Sequence, residues 1–214
     1  MVSDLERYIL DHISEEDPVL TELDRQTHLR VVQPRMLSGH LQGRMLQMFT
    51  AMLRPKNVLE LGTFTGYSAI AMARGLELPN AVLHTVELND ELLDFAAEYI
   101  EKAGLRDRII QHTGPALEVV PRLGLVFDLV FIDADKREYP AYYRMLMEGG
   151  FVHSGSIILA DNVLWSGKVA QTEVARNDRQ TLGVLEFNRM VREDPRVEKV
   201  IVPLRDGLTI IRVK

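Results

Sequence analysis

What most constrains this chain is a rhythm that begins after Pro55, in which short apolar runs alternate with helical stretches. The runs cover residues 58–61, 81–86, 108–111, 127–132 and 156–160. Helical patterns fill 69–76, 90–103, 115–120, the stretch after 132 up to Met147, and 182–193. Short strands separated by helices predict a parallel sheet covered by helices on both faces. The ending differs. Residues 197–204 and 208–213 are rich in β-formers and are separated by Arg205-Asp206-Gly207, and Asp-Gly between two such runs is a hairpin signal. The last strand is therefore expected to run antiparallel, inserted into or beside the parallel sheet. Before Pro55 the chain reads as three helices: one carrying Leu5, Ile9 and Ile13, one over 18–32, and one that Ser38 would cap, with Leu41, Met45, Leu46, Phe49 and Leu53 as its apolar stripe. At 214 residues, 46 % of them hydrophobic, a single domain with one sizeable core is expected, with 1–54 as a helical cap and 55–214 as the α/β core.

In such a sheet the ligand lies at the carboxyl ends of the strands, where strand order reverses. The residues there are unusual. The first strand opens into 58-VLELGTFTGYSAIAMA-73, a glycine turn leading to a helix. Gly62 and Gly66 permit a tight turn and close approach to a ligand. The spacing is G-x-x-x-G, however, and Glu60 precedes it. A carboxylate there is a poor neighbour for a pyrophosphate and a good one for the ammonium of an amino acid. Glu87 closes the next strand, at the distance where an acidic residue takes ribose hydroxyls. Together Glu60 and Glu87 suit a cationic nucleoside with a free ribose, and S-adenosylmethionine fits better than a nicotinamide dinucleotide. The bland alternative is a turn that only packs helix against sheet.

The fourth run ends in 127-FDLVFIDADKREY-139, and Asp161-Asn162 follows the fifth. Adjacent parallel strands would bring Asp133, Asp161 and Asn162 together. Two carboxylates and an amide oxygen are hard ligands that suit Mg2+, with Mn2+ and Ca2+ also compatible. Asp133 taken alone reads better as a helix cap, and it is the set of three at equivalent strand ends that points to a cation. Lys136 lies three residues after Asp133. Beside a divalent cation its ammonium would be disfavoured, and the neutral amine could accept a proton. For a lysine taken alone, a surface salt bridge is the commoner role.

Composition narrows the classes further. The formal net charge is −6 and no basic cluster stands out, which argues against a nucleic-acid partner. Cysteine is absent, so thiolate metal sites and cysteine nucleophiles are excluded. The acidic N-terminal stretch has no apolar signal segment, and no run is long enough to span a membrane. A cytoplasmic protein is expected. His28, His40, His112 and His153 show no metal-binding spacing.

The segments VLELGTFTGYSAIAMA, HTVELND, FIDADKREY and ADNVLWSGKV together resemble the cation-dependent O-methyltransferases, among them catechol O-methyltransferase and the caffeoyl-CoA O-methyltransferase-like bacterial enzymes. The resemblance runs from about Met36 to the C-terminal hairpin. It implies a Rossmann-like seven-stranded sheet, mostly parallel, with an antiparallel last strand. It implies Asp133, Asp161 and Asn162 as metal ligands and Lys136 as general base at the substrate. Cofactor contacts would be Met36, Ser38, Glu60, Gly62, Ser68, Glu87, Ala116 and Asp133, with Ala116 at the adenine. Trp165 would wall the acceptor pocket, and the acceptor would be a small aromatic with vicinal hydroxyls. The family's bacterial and plant members are usually homodimers, so a homodimer is implied. Where plant members have D-N-T-L-W-N-G, this chain has Ser166 in place of the second Asn, so a polar acceptor contact is changed. The rival readings are an NAD-dependent oxidoreductase on a related sheet and a non-catalytic cofactor-binding protein.

Overall fold

The computed structural model describes residues 4–214; of the acidic N-terminal stretch, residues 1–3 lie outside the described residues. The chain builds helices α1 (Asp4–His12), α2 (Pro18–Arg30) and α3 (Gly39–Leu53) before the first strand. It then alternates β1 (Asn57–Leu61), α4 (Tyr67–Arg74), β2 (Val82–Glu87), α5 (Leu93–Lys102), β3 (Ile109–Thr113), α6 (Ala116–Leu123), β4 (Phe127–Ile132), α7 (Tyr139–Glu148) and β5 (Val152–Asp161). Helix α8 (Arg179–Glu193) precedes the hairpin of β6 (Val197–Val202) and β7 (Leu208–Val213).

Within residues 4–214 the strands form one seven-stranded sheet in the order β3-β2-β1-β4-β5-β7-β6. The first five pair in parallel, and β7 runs antiparallel to both β5 and β6. The last strand is thus inserted between β5 and β6. Strands β1 and β4 are buried on both faces, which is why they read as near-continuous apolar runs. One face packs Leu23, Leu46, Ile70, Met72, Leu83, Tyr99 and Phe131 under α2 to α5. The other packs Val120, Ile132, Tyr139, Tyr143, Ile158, Phe187 and Ile211 under α6 to α8. The order reverses between β1 and β4, so the loops after β1, β2, β4 and β5 gather around one crevice.

Several local expectations change. Helix α1 ends at His12, before Ile13, and buries none of its residues. Ser38 sits at the start of α3 but makes no side-chain cap hydrogen bond. The stretch 90–103 divides into a 3-10 turn, Asp90–Leu92, and α5, with Asn89 accepting from the Glu91 amide in front of it. Strand β5 starts four residues earlier than its apolar run, because Val152 pairs with Phe127 across a register irregularity. Pro203 has no N–H to give the ladder, so β6 stops at Val202 and the hairpin loop is five residues, 203–207. The polar loop after Asn162 contains a kinked 3-10 stretch, Trp165–Ala170. No helix among the described residues is long and apolar enough to cross a membrane.

Candidate active site

The crevice is a cavity of about 1640 Å3. A pocket for one small ligand takes roughly 300–1,000 Å3, so this one has room for two molecules side by side. Its walls include Met36, Ser38, Gly62, Ser68, Glu87, Ala116, Asp133, Lys136, Asp161, Asn162 and Trp165. These are the residues expected at a site from the sequence, with one exception.

The exception is Glu60. It is not a wall of the cavity; it is fully buried in β1. A strand residue buried on both sides has no route to solvent, and its position at the end of an apolar run in the sequence does not reveal this. Glu60 Oε2 accepts from the Thr85 hydroxyl at 2.6 Å, and Thr85 meets the Thr63 hydroxyl next door. Oε1 has no hydrogen-bond partner. Burial pushes the Glu60 carboxyl up to about 8, against the pull of the nearby Ser68 and Thr85 hydroxyls.

Gly62 has φ +100°, and a Cβ there would lie 2.2 Å from the Asp133 carbonyl oxygen. The glycine loop and the strand-four loop are in backbone contact, which the Asp133 N–H to Leu61 carbonyl bond of 2.9 Å continues. Gly62 therefore serves the junction of the two loops as much as any ligand. Glu87 is oriented rather than free: Oε2 accepts from the Phe64 amide at 2.7 Å and Oε1 from the Asn89 amide at 2.9 Å. Each oxygen keeps a lone pair for a hydroxyl.

At the far end stands the acidic cluster. Lys136 is almost fully buried, and its Nζ donates to Asp133 Oδ1 at 2.9 Å and to the Tyr139 hydroxyl at 2.7 Å. Tyr139 is also fully buried, and its O–H faces the carbonyls of Ile132 at 3.0 Å and Asp161 at 3.1 Å. Asp161 is buried; Oδ1 accepts from the Asn162 amide at 2.9 Å and Oδ2 from Gln42 Nε2 at 2.8 Å. Burial, and after it the charge of Asp133, holds the Asp161 carboxyl above the ordinary range. Asn162 adopts φ +58°, a left-handed conformation that Asn tolerates.

Among the described residues no three His, Cys, Asp or Glu side chains cluster to hold a metal. The set here is two carboxylates and an amide, an all-oxygen donor group of the kind that suits a hard divalent ion. The destabilised Asp161 carboxylate beside Asp133 fits the same ion, since a cation relieves both the burial cost and the repulsion.

The remaining predicted residues take these places. Ala116 begins α6 at the wall, and Met36 is half-exposed in the 3-10 turn Pro34–Met36. Trp165 lines the cavity with φ +46°. His40 bonds the Ser14 carbonyl at 2.8 Å and does not line the cavity. Sequence reasoning missed Thr85, Tyr139, Gln42 and Arg205. Only Tyr139 left a local signal, three residues beyond Lys136; the others are brought in from distant elements.

Residues 10–214 match the family model described as O-methyltransferase. A caffeoyl-CoA O-methyltransferase from Eucalyptus globulus is 32 % identical over 218 residues, covering 95 % of this chain and 87 % of that protein. The crystal structure of an O-methyltransferase from Bacillus cereus in complex with SAH superposes with a TM-score of 0.90 at 30 % identity, over 100 % of this chain and 98 % of that one. The O-methyltransferase TomG from Streptomyces achromogenes, involved in tomaymycin synthesis and crystallised with SAM, gives 0.91 at 28 % identity, over 100 % and 97 %.

Proposed function

The chain belongs to the O-methyltransferase family, and from that premise we propose that it moves the methyl group of S-adenosylmethionine to one hydroxyl of a vicinal dihydroxy aromatic, with a divalent cation held by Asp133, Asp161 and Asn162. Family membership sets aside the nicotinamide-dependent oxidoreductase. The observation that carries the acceptor chemistry is the buried amine of Lys136, bonded to Asp133 and to the Tyr139 hydroxyl, on the wall of a cavity roomy enough for donor and acceptor.

In this reading Glu87 takes the ribose hydroxyls, Ala116 lies at the adenine, and Met36 and Ser38 close over the methionine end, with Gly62, Ser68 and Asp133 beside it. Glu60 acts from beneath, fixing Thr85 under the glycine loop. Trp165 bounds the acceptor. When bound, the cation, most simply Mg2+, would supply positive charge that stabilises a phenolate oxygen. Lys136 Nζ takes the hydroxyl proton. The oxygen's electron pair forms the new C–O bond as the C–S bond breaks, and that pair leaves on the sulfur. Tyr139 keeps Nζ in place by accepting its hydrogen bond. Much of the rate comes from alignment of nucleophile, methyl and leaving sulfur.

A second copy of the chain is the proposed partner. Met48 and Met52, four apart on α3, are exposed, and so is Val200, opposite Ile210 in the hairpin.

The test is methyl transfer to a panel of catechols, caffeate included, with Mg2+ and with EDTA. Cation-dependent product, lost in Lys136→Ala while S-adenosylhomocysteine still binds, is the expected result. Wild-type turnover in Lys136→Ala would remove the base assignment. Cofactor binding with no transfer to any acceptor would favour a non-catalytic binding protein.

A further inference from the structure

Gln42 is a buried amide with both ends committed. Its Nε2 donates to Asp161 Oδ2 at 2.8 Å, and its Oε1 accepts from an Arg205 guanidinium nitrogen at 2.8 Å. A carboxylate can only accept and a guanidinium can only donate, so a single orientation of the amide satisfies both. Gln42 lies on α3 and Arg205 in the β6–β7 hairpin turn, while Asp161 ends β5. The same guanidinium donates to the backbone carbonyls of Ser38 and, at 3.1 Å, Leu37. The next two residues of the turn reach the opposite wall. Asp206 O accepts from the Leu164 amide at 2.9 Å, its side chain accepts from the Ser166 amide, and Gly207 O accepts from the Val163 amide at 3.1 Å.

One five-residue turn therefore fastens two cavity walls, the 37–38 segment and the 163–166 segment, and reaches the Asp161 carboxylate through a single amide. We infer that Gln42 and Arg205 are positioning residues that set the rotation of the Asp161 carboxylate and tie it to the backbone of Leu37 and Ser38. Asp161 has one donor on each oxygen, Gln42 on one and the Asn162 amide on the other. This leaves each oxygen a lone pair in a fixed direction. Without the Gln42 amide the buried carboxylate loses one of its two donors and is free to turn. Residues that orient a ligand in this way matter to an ion nearly as much as the ligand does. The inference rests on the reading of Asp161 as a cation ligand.

The test is titration of the full chain with Mn2+, followed by electron paramagnetic resonance, with S-adenosylhomocysteine present. Gln42→Met keeps the length of the side chain and removes the amide. Its Mn2+ dissociation constant should rise about 10–100-fold. Arg205→Met, at an exposed turn, should weaken Mn2+ in the same direction and also weaken S-adenosylhomocysteine in metal-free protein, because the Leu37 and Ser38 carbonyls are released. The double variant should be no weaker for Mn2+ than Gln42→Met, since the two act through one path. A role confined to packing would lower the melting temperature and leave Mn2+ affinity alone. Mn2+ affinities within twofold of wild type in both single variants overturn the inference. If Gln42→Met does not fold, Arg205→Met decides by itself. A wild-type chain that takes up no Mn2+ overturns the cation reading and the inference with it, so the two failures are told apart by which protein fails.

Discussion

At the scale of single residues, the site is built from side chains whose burial is costly. Glu60 is the clearest case. Its folded chain holds a proton up to about pH 8, which the unfolded chain has released above its ordinary value of 4.5. Within that window the folded state binds more protons, so stability falls as pH rises. Glu60→Gln carries no such charge. Thermal melts of the ligand-free proteins from pH about 5 to about 8 should show a shallower decline in the variant, a difference on the order of a few kcal/mol at the alkaline end. Parallel slopes would mean that Glu60 is ionised in the fold. Tyr139 gives a second prediction. Tyr139→Phe leaves Lys136 Nζ one partner short and strips the hydroxyl that the Ile132 and Asp161 carbonyls share. Turnover should fall about tenfold to hundredfold from misplacement of the amine, with S-adenosylhomocysteine affinity kept and about 1–3 kcal/mol of stability lost. Unchanged kcat would show that Nζ needs no such support. Acids and the lysine were legible in the sequence because they interrupt apolar runs. Their partners were not: Gln42 meets Asp161 across 119 positions of chain, and nothing near either residue announces the other.

At the scale of elements, the strands were readable where burial on both faces forces a run of apolar residues, as in β4. They were misread where pairing outlasts apolarity, as at Val152, or where a proline ends the ladder early, as at Pro203. Close approach between elements leaves only a glycine as its trace. Gly183 in α8 is such a trace: a Cβ there would lie 2.3 Å from the Lys136 carbonyl oxygen and 2.9 Å from Arg137 Cα. Helix α8 thereby sets the height of the turn that carries Lys136. Gly183→Ala must push helix and turn apart, and about 1–3 kcal/mol of stability should go with it. Turnover should fall further than the loss of folded protein explains, measured as kcat per folded chain. A variant with full kcat would place the strain elsewhere than the 136–138 turn.

For the whole molecule, the exposed methionines of α3 and Val200 of the hairpin are the surface on which pairing of two copies is expected. Sedimentation equilibrium of Met52→Lys should show at least about a tenfold weaker dimer than wild type, and equal association would move the interface to another face. The inserted last strand has a consequence for how the protein is made. Strand β6 touches the sheet only through β7, so a nascent chain that has emerged as far as Val202 still presents β5 as a bare edge. An unpaired edge is a template for the wrong partner. Strand β7, Leu208–Val213, is what closes it. Vectorial synthesis thus leaves the β5 edge open until Leu208–Val213 has emerged. The period of exposure to aggregation is the interval between the emergence of β5 and that of β7, and slow synthesis of the intervening residues would prolong it.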